Sequence, residues 1–364
     1  MGGQPETRYA TAPDGVAIAY HVLGAGDIDV VWAPAVSYPF DLLWEEPSFA
    51  HFARRVAAFS RSIWLTPRGF GGSGGQWTDN FADNTSLDDL TALLDHCGAQ
   101  NVVFVASAVG GPFAIRYAHA RPDRLRALVL IDTYARFLRA PDYPFGFPEE
   151  KFERFLTGLQ KWGAGASVDL LAPSRAADPL FRERFARIER LGQPPDQAAA
   201  SLRHALGVDV RHLLADLAVP TLVLHRRDDR YIRADCGRYL AASIPGAKYV
   251  ELPGEDNLFF VGDVDAVVDE LEEYLTGARQ SPEGEVATST ILFTDIVSST
   301  EQASRRGHRA WTALTAEHEA MVRAALRRHR GREIKTLGTG FSPLSTRARA
   351  RCGPPLRSSH RPRT

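Results

Sequence analysis

Seven short apolar runs punctuate the first two-thirds of the chain: VAIAYHVLG, DVVWAPA, SIWLTP, NVVFVA, ALVLID, PTLVLH and KYVELP. They are rich in Val, Ile and aromatic residues and bounded by Gly, Pro, Asn or Asp. Runs of that length and composition suit strands buried on both faces. Between several of them lie amphipathic stretches, SFAHFARRVAAF, SLDDLTALLDHC and DVDAVVDELEEYL, whose apolar residues recur at helical spacing. A strand, a helix and another strand in sequence make a crossover unit, which gives a mostly parallel sheet covered by helices. The first run is preceded by Pro13-Asp14-Gly15, a turn signal that predicts a hairpin leading into the sheet. Residues 136–216 break the alternation. They are helix-rich and sit between two strands as an insertion. The expected fold is α/β, a mostly parallel sheet with a helical cap.

At 364 residues the chain exceeds one ordinary core, so further domains are expected. The first domain is read as residues 1–277, with its cap at about 136–216. A polar linker follows at 278–288, and a fresh apolar strand, TILFTDIV, opens a second segment over 289–341. Residues 342–364 hold six arginines and no acidic residue, and are expected to form a basic, disordered tail. Net charge is −1 overall, which gives no global sign of nucleic-acid binding. Cys97, Cys236 and Cys352 are too scattered for a disulfide framework or a metal cluster. No apolar run reaches the ~18–20 residues of a spanning helix. The start is polar, without a secretory signal, so a cytoplasmic protein is expected.

Several stretches gain specificity when taken together: WEEPSFAHFARRVAAFSR, PRGFGGSG, GGPFAIRYAHARPDRLRALVLID, YARFLRAPDYPFG, TLVLHRRDDR, GRYLA and VELPGEDN. Through them residues 7–277 resemble an α/β-hydrolase with a helical cap. The particular resemblance is to the hydrolase half of mycobacterial-type fusions of that fold with a class III adenylate/guanylate cyclase. It implies a nucleophile on a sharp strand-to-helix turn, G-x-S-x-G. Strand NVVFVA leads into Ala106-Ser107-Ala108-Val109-Gly110-Gly111-Pro112. Alignment on the double glycine puts Ala108 where the serine belongs, with Ser107 one residue early. Gly71-Gly72-Ser73-Gly74-Gly75 fits the motif literally, but no helical pattern follows it. The resemblance places the acid at Asp229, next to Asp228. Without it, both read as solvated loop carboxylates near Arg226, Arg227 or Arg230. The histidine position is Asn257, an amide with no basic nitrogen. His51, His119 and His204 lie in helical patterns and read as structural. The cap aromatics Tyr134, Phe137, Tyr143, Phe145, Phe147, Phe152, Phe155 and Trp162 either pack the cap or line a cleft for an apolar ligand.

TILFTDIVSSTE and GREIKTLGTGF resemble the first strand and a later hairpin of a class III nucleotide cyclase. That resemblance implies a metal-binding carboxylate at Asp295 and a purine-reading residue at Lys335. The second metal position is Thr339, which carries no charge. It stops at Phe341, so the segment is a truncated cyclase.

Three functions follow as expectations. The favoured one is a catalytically inactive α/β-hydrolase-fold module attached to a truncated cyclase, at most ligand-binding or regulatory. The second is a hydrolase of esters or similar small apolar substrates, using Ser107 or residues the motif does not mark. The third is adenylate cyclase-type synthesis of cyclic nucleotide. No cofactor is expected, except Mg or Mn if the cyclase part were active. The partners expected are a small apolar ligand under the cap and an intact cyclase chain, with no nucleic acid.

Overall fold

The computed structural model describes residues 4–33, 38–76, 84–152, 162–278, 290–291, 304–305, 307–308, 310–318, 320, 332–337 and 340–345. They fall into two units, Met1–Gln280 and Ser281–Thr364.

The first unit is built on an eight-stranded sheet. Its strands are β1 (Arg8–Thr11), β2 (Ala17–Leu23), β3 (Asp29–Ala33), β4 (Arg61–Leu65), β5 (Val102–Ser107), β6 (Leu125–Ile131), β7 (Thr221–Arg226) and β8 (Lys248–Leu252). The order is β1-β2-β4-β3-β5-β6-β7-β8. β1 and β2 form the antiparallel hairpin, with Thr11 opposite Ala17. Its turn closes through Gly15, at φ 85, whose N–H donates to the Ala12 carbonyl, while Asp14 Oδ1 accepts from the Val16 N–H. Glycine suits that left-handed position because it has no Cβ to clash. From β4 onward every pairing is parallel.

Helices cover both faces, so every residue of β5 and of β7 is buried. That is why these runs are continuously apolar rather than alternating. The helix Pro47–Ala57 shows how the pattern translates into packing. Phe49, Phe52, Ala53 and Val56 recur along one stripe, all buried, and Phe52 meets the rings of Trp32, Trp64 and Phe259. Truncating such a phenylalanine to alanine costs about 3–5 kcal/mol.

The cap, between β6 and β7, contains the helices Val168–Leu171, Pro179–Gly192 and Pro195–Gly207. Its two ends are joined by the Arg136–Asp209 bridge, where Arg136 Nη1 lies 2.8 Å from Asp209 Oδ2. Against the opposing effect of burial, Arg211 and Arg136 hold the Asp209 carboxyl well below its usual range. Inside the cap, buried Glu189 accepts from the N–H groups of Gly163 and Gly165, both at 2.9 Å, and bonds the Ser167 hydroxyl.

The second unit contains an antiparallel sheet of β9 (Thr290–Ile291), β10 (Arg332–Leu337) and β11 (Gly340–Ser345), in the order β10-β11-β9. β11 runs to Ser345, into the stretch expected as disordered tail. Lys335 sits in β10 opposite Ser342. Asp295, Thr339 and residues 346–364 lie outside the described residues. No described helix is long and apolar enough to cross a membrane.

Candidate active site

The sheet brings the carboxyl ends of β5, β6, β7 and β8 side by side, the usual place for a site in an open α/β sheet. β5 ends at Ser107, in extended backbone at φ −128, ψ 160. The chain then turns sharply at Ala108, whose φ of 45 is in the left-handed region, and enters the helix Gly111–Ala120. Among the described non-glycine residues only Ala108 and Asp132 have positive φ. Holding alanine there costs roughly 1–2 kcal/mol. The strand-to-helix turn thus has its apex at Ala108, which carries no hydroxyl. The Thr133 hydroxyl donates to the Ala108 carbonyl, fastening the elbow to the end of β6. A Cβ at Gly111 would strike the Thr133 side chain, so a glycine there lets the helix approach.

Asp229 lies on the loop after β7 and is buried. Its Oδ1 accepts from the N–H groups of Tyr231 at 2.8 Å and Ile232 at 3.1 Å. Its Oδ2 accepts from Asn257 Nδ2 at 2.7 Å. Burial, with the Asp132 charge beside it, pushes the Asp229 carboxyl up to about 8, against the opposing pull of these donors. Asp228 is exposed, so the solvated-carboxylate reading holds for it and fails for Asp229. Asn257, after β8, also donates from Nδ2 to the Asp132 carbonyl at 3.3 Å. Asp132 and Thr133 thus link Asn257 to the elbow.

Sequence reasoning missed Arg226 and Asp132. Arg226 opens a run of charges that reads as exposed loop, yet it is 2% exposed. Its main-chain N–H donates to Asp132 Oδ1 at 2.7 Å, and Nη1 lies 3.2 Å from Asp132 Oδ2. The guanidinium also donates to the carbonyls of Asp256, Leu258, Phe259 and Val261. That clamp holds the segment carrying Asn257. The cap holds its other side, through Ser174 on the Asp256 carboxylate and the Leu171 carbonyl on the Asn257 N–H. The one available signal was its place as the last residue of β7, a strand buried along its whole length.

Asp132, His225 and Asp229 bring ligand-type atoms within 4.8 Å of one another. Most of these atoms are already engaged: the Arg226 guanidinium pairs with Asp132, both Asp229 oxygens accept hydrogen bonds, and His225 Nε2 is bonded to the Ile232 carbonyl at 2.8 Å, while His225 Nδ1 is buried without a partner among the described residues.

The literal G-x-S-x-G at residues 71–75 is structural. Ser73 Oγ donates to the Thr66 carbonyl at 2.6 Å and accepts from the Ala19 N–H at 2.8 Å, tying the loop to β2. His51 pairs with Asp265 between two helices, at 2.8 Å. Of the cap aromatics, Tyr134, Phe137, Phe145 and Phe147 line a cleft. Tyr143 and Phe152 are buried in the packing. Trp162 donates its indole N–H to the Glu189 and Gln193 carbonyls, and Phe155 lies outside the described residues.

Residues 43–263, more than half the chain, match the alpha/beta hydrolase fold family. The chain belongs to that family. Among curated relatives, a pimeloyl-[acyl-carrier protein] methyl ester esterase of Xanthomonas campestris pv. campestris is 31% identical over 206 residues, which is 52% of this chain and 79% of the relative. A strigolactone esterase of Arabidopsis thaliana is 30% identical over 167 residues, 45% of this chain and 62% of the relative. A solved thermophilic esterase from Thermogutta terrifontis superposes with a TM-score of 0.59 at 24% identity, covering 76% of this chain and all of its own. At that identity the superposition shows the fold alone.

Two expectations are corrected here. The favoured one, a catalytically inactive module at most binding or regulatory, is overturned by relatives that are esterases. Around the two absent side chains the scaffold holds a strained turn at Ala108 and a buried carboxyl at Asp229. The class III cyclase segment, and with it cyclic-nucleotide synthesis, finds no support, since the family match ends at residue 263. What GREIKTLGTGF specifies is the β10–β11 hairpin, and glycine-flanked turns of that kind serve many folds.

Proposed function

We propose that the first unit is a hydrolase of carboxylic esters or similar small apolar substrates. The carrying observation is the buried Asp229–Asn257 pair, linked through Asp132 and Thr133 to the strained turn at Ala108. The esterase relatives support the reaction class.

Ala108 has no oxygen to acylate and Asn257 cannot take a proton, so in this reading water attacks the ester carbonyl directly. The Val109 N–H, first after the apex, meets the developing oxyanion. The Asn257 amide oxygen orients the water. The ionised Asp229 carboxylate, whose proton affinity burial pushes up to about 8, takes the water's proton and gives it to the alcohol oxygen as the acyl–oxygen bond breaks, so that acid and alcohol leave. With no covalent intermediate to split the reaction into two easier steps, and Asp229 as its one base, slow turnover is expected.

The test is release of p-nitrophenol from p-nitrophenyl butyrate by the full chain and by Ser107→Ala and Asp229→Asn. The proposal expects turnover that survives the first change and is lost with the second. Loss with Ser107→Ala would instead make Ser107 the nucleophile.

A further inference from the structure

Beside the reaction centre, the cap and the loop after β7 form a cleft of about 110 Å³, several times the ~10–15 Å³ that one water needs and small beside a drug-sized ligand site. Ala108, Ser107 and Asn257 do not line it. Its walls are the rings of Tyr134, Phe137, Phe145 and Phe147, with Tyr231 and Ile232 from the acid loop. Phe137 and Phe147 stack with centroids 5.3 Å apart, which makes a flat apolar surface. The Tyr134 hydroxyl is buried without a hydrogen-bond partner among the described residues. A phenol in that state gains from any acceptor a ligand brings.

The rim has one sign of charge. Arg139, Lys151, Arg230 and Arg233 all line the cleft, and among the described residues no carboxylate does. Arg230 lies 3.7 Å from Glu255, and Arg233 lies 3.0 Å from Asp235. Arg139 and Lys151 form no ion pair with a described residue, although Glu149 and Glu150 precede Lys151 on the surface. Cations at the mouth of an apolar, low-dielectric slot attract an anion more strongly than the same cations on open surface.

We propose that this cleft binds a small amphiphilic anion, a carboxylate carried on an aromatic or short acyl body. The ring walls take the body, and Arg139 and Lys151 take the carboxylate. Because Tyr231 and Ile232 both line the cleft and donate their N–H groups to Asp229, the bound ligand lies one residue layer from the acid.

The test is isothermal titration of the full chain with naphthalene-2-carboxylate and with its neutral counterpart, 2-naphthylmethanol. The carboxylate should bind saturably, at least about tenfold more tightly than the alcohol, the worth of one charge-assisted hydrogen bond. Its affinity should fall with added salt. The double change Arg139→Gln with Lys151→Gln alters exposed side chains and so keeps the fold. It should weaken the carboxylate about tenfold and leave the alcohol unchanged. Equal affinity for the two probes, an unaltered carboxylate affinity in the double variant, or no saturable heat would each overturn the proposal. Turnover is not needed for the readout, so a failed ester assay leaves the binding result independent.

Discussion

Asn257 donates its side-chain N–H to Asp229 across 2.7 Å, and both residues are buried at the head of the parallel sheet. In the proposed hydrolase this amide stands where a histidine would draw on the acid, keeping the hydrogen bond and giving up the proton transfer. The strained turn at Ala108 is tied to the same group through Thr133 and Asp132.

Restoring both side chains should therefore restore fast catalysis. Ala108→Ser with Asn257→His should raise turnover of p-nitrophenyl butyrate by roughly 10²–10³-fold over the starting chain, and either change alone should add little, because triad members act as a unit. A pre-steady-state burst of p-nitrophenol in the double variant, absent from the starting chain, would mark the acyl-enzyme.

The charge on Asp229 makes stability depend on pH. Its folded pKa, pushed up to about 8, lies above that of an unfolded aspartate near 3.9. The folded state therefore binds the proton more tightly. The contribution is complete below about pH 4 and is lost as pH rises through 8. Asp229→Asn should flatten the fall of Tm between these limits, measured by calorimetry in a pH series. A fall of equal steepness in the variant would exclude Asp229 as its source.

Arg226 carries the segment that holds Asn257. Arg226→Met leaves Asp132 buried without its counter-charge and removes donors from four carbonyls. The expected loss is about 3–5 kcal/mol, read from urea denaturation. A loss below 1 kcal/mol would show that the clamp contributes little.

Ser73 separates the two serine-containing loops. Ser73→Ala should leave ester turnover unchanged and lower stability by about 1–2 kcal/mol, since the Ala19 N–H and Thr66 carbonyl both lose a partner. Denaturation and the ester assay on the same preparation check both halves.

Much of the sheet was legible because its strands are buried on both faces. A run such as NVVFVA has no polar side to confuse the period, and it becomes β5. The sharp turn after β5 was legible too, from its small residues and the strand before it. Arg226 was not, because its burial depends on carbonyls some thirty residues away, and no local pattern encodes them. β11 was hidden for a different reason. Pro343 and the flanking serines read as loop, yet Pro343 pairs with Glu333 on one side only, and β9 reaches just Leu344 and Ser345. A proline is tolerated where no ladder bond is required of its nitrogen. Function was misjudged because an absent hydroxyl and an absent imidazole are plain in a sequence, while a retained strain and a buried carboxyl are not.

The most direct measurement is the initial rate of p-nitrophenyl butyrate hydrolysis by the full chain from pH 6 to 9, beside Asp229→Asn. The account predicts a rate above buffer that rises as the Asp229 carboxyl ionises near pH 8, and a variant that stays at the buffer rate throughout. A starting chain indistinguishable from buffer at every pH would contradict the hydrolase assignment.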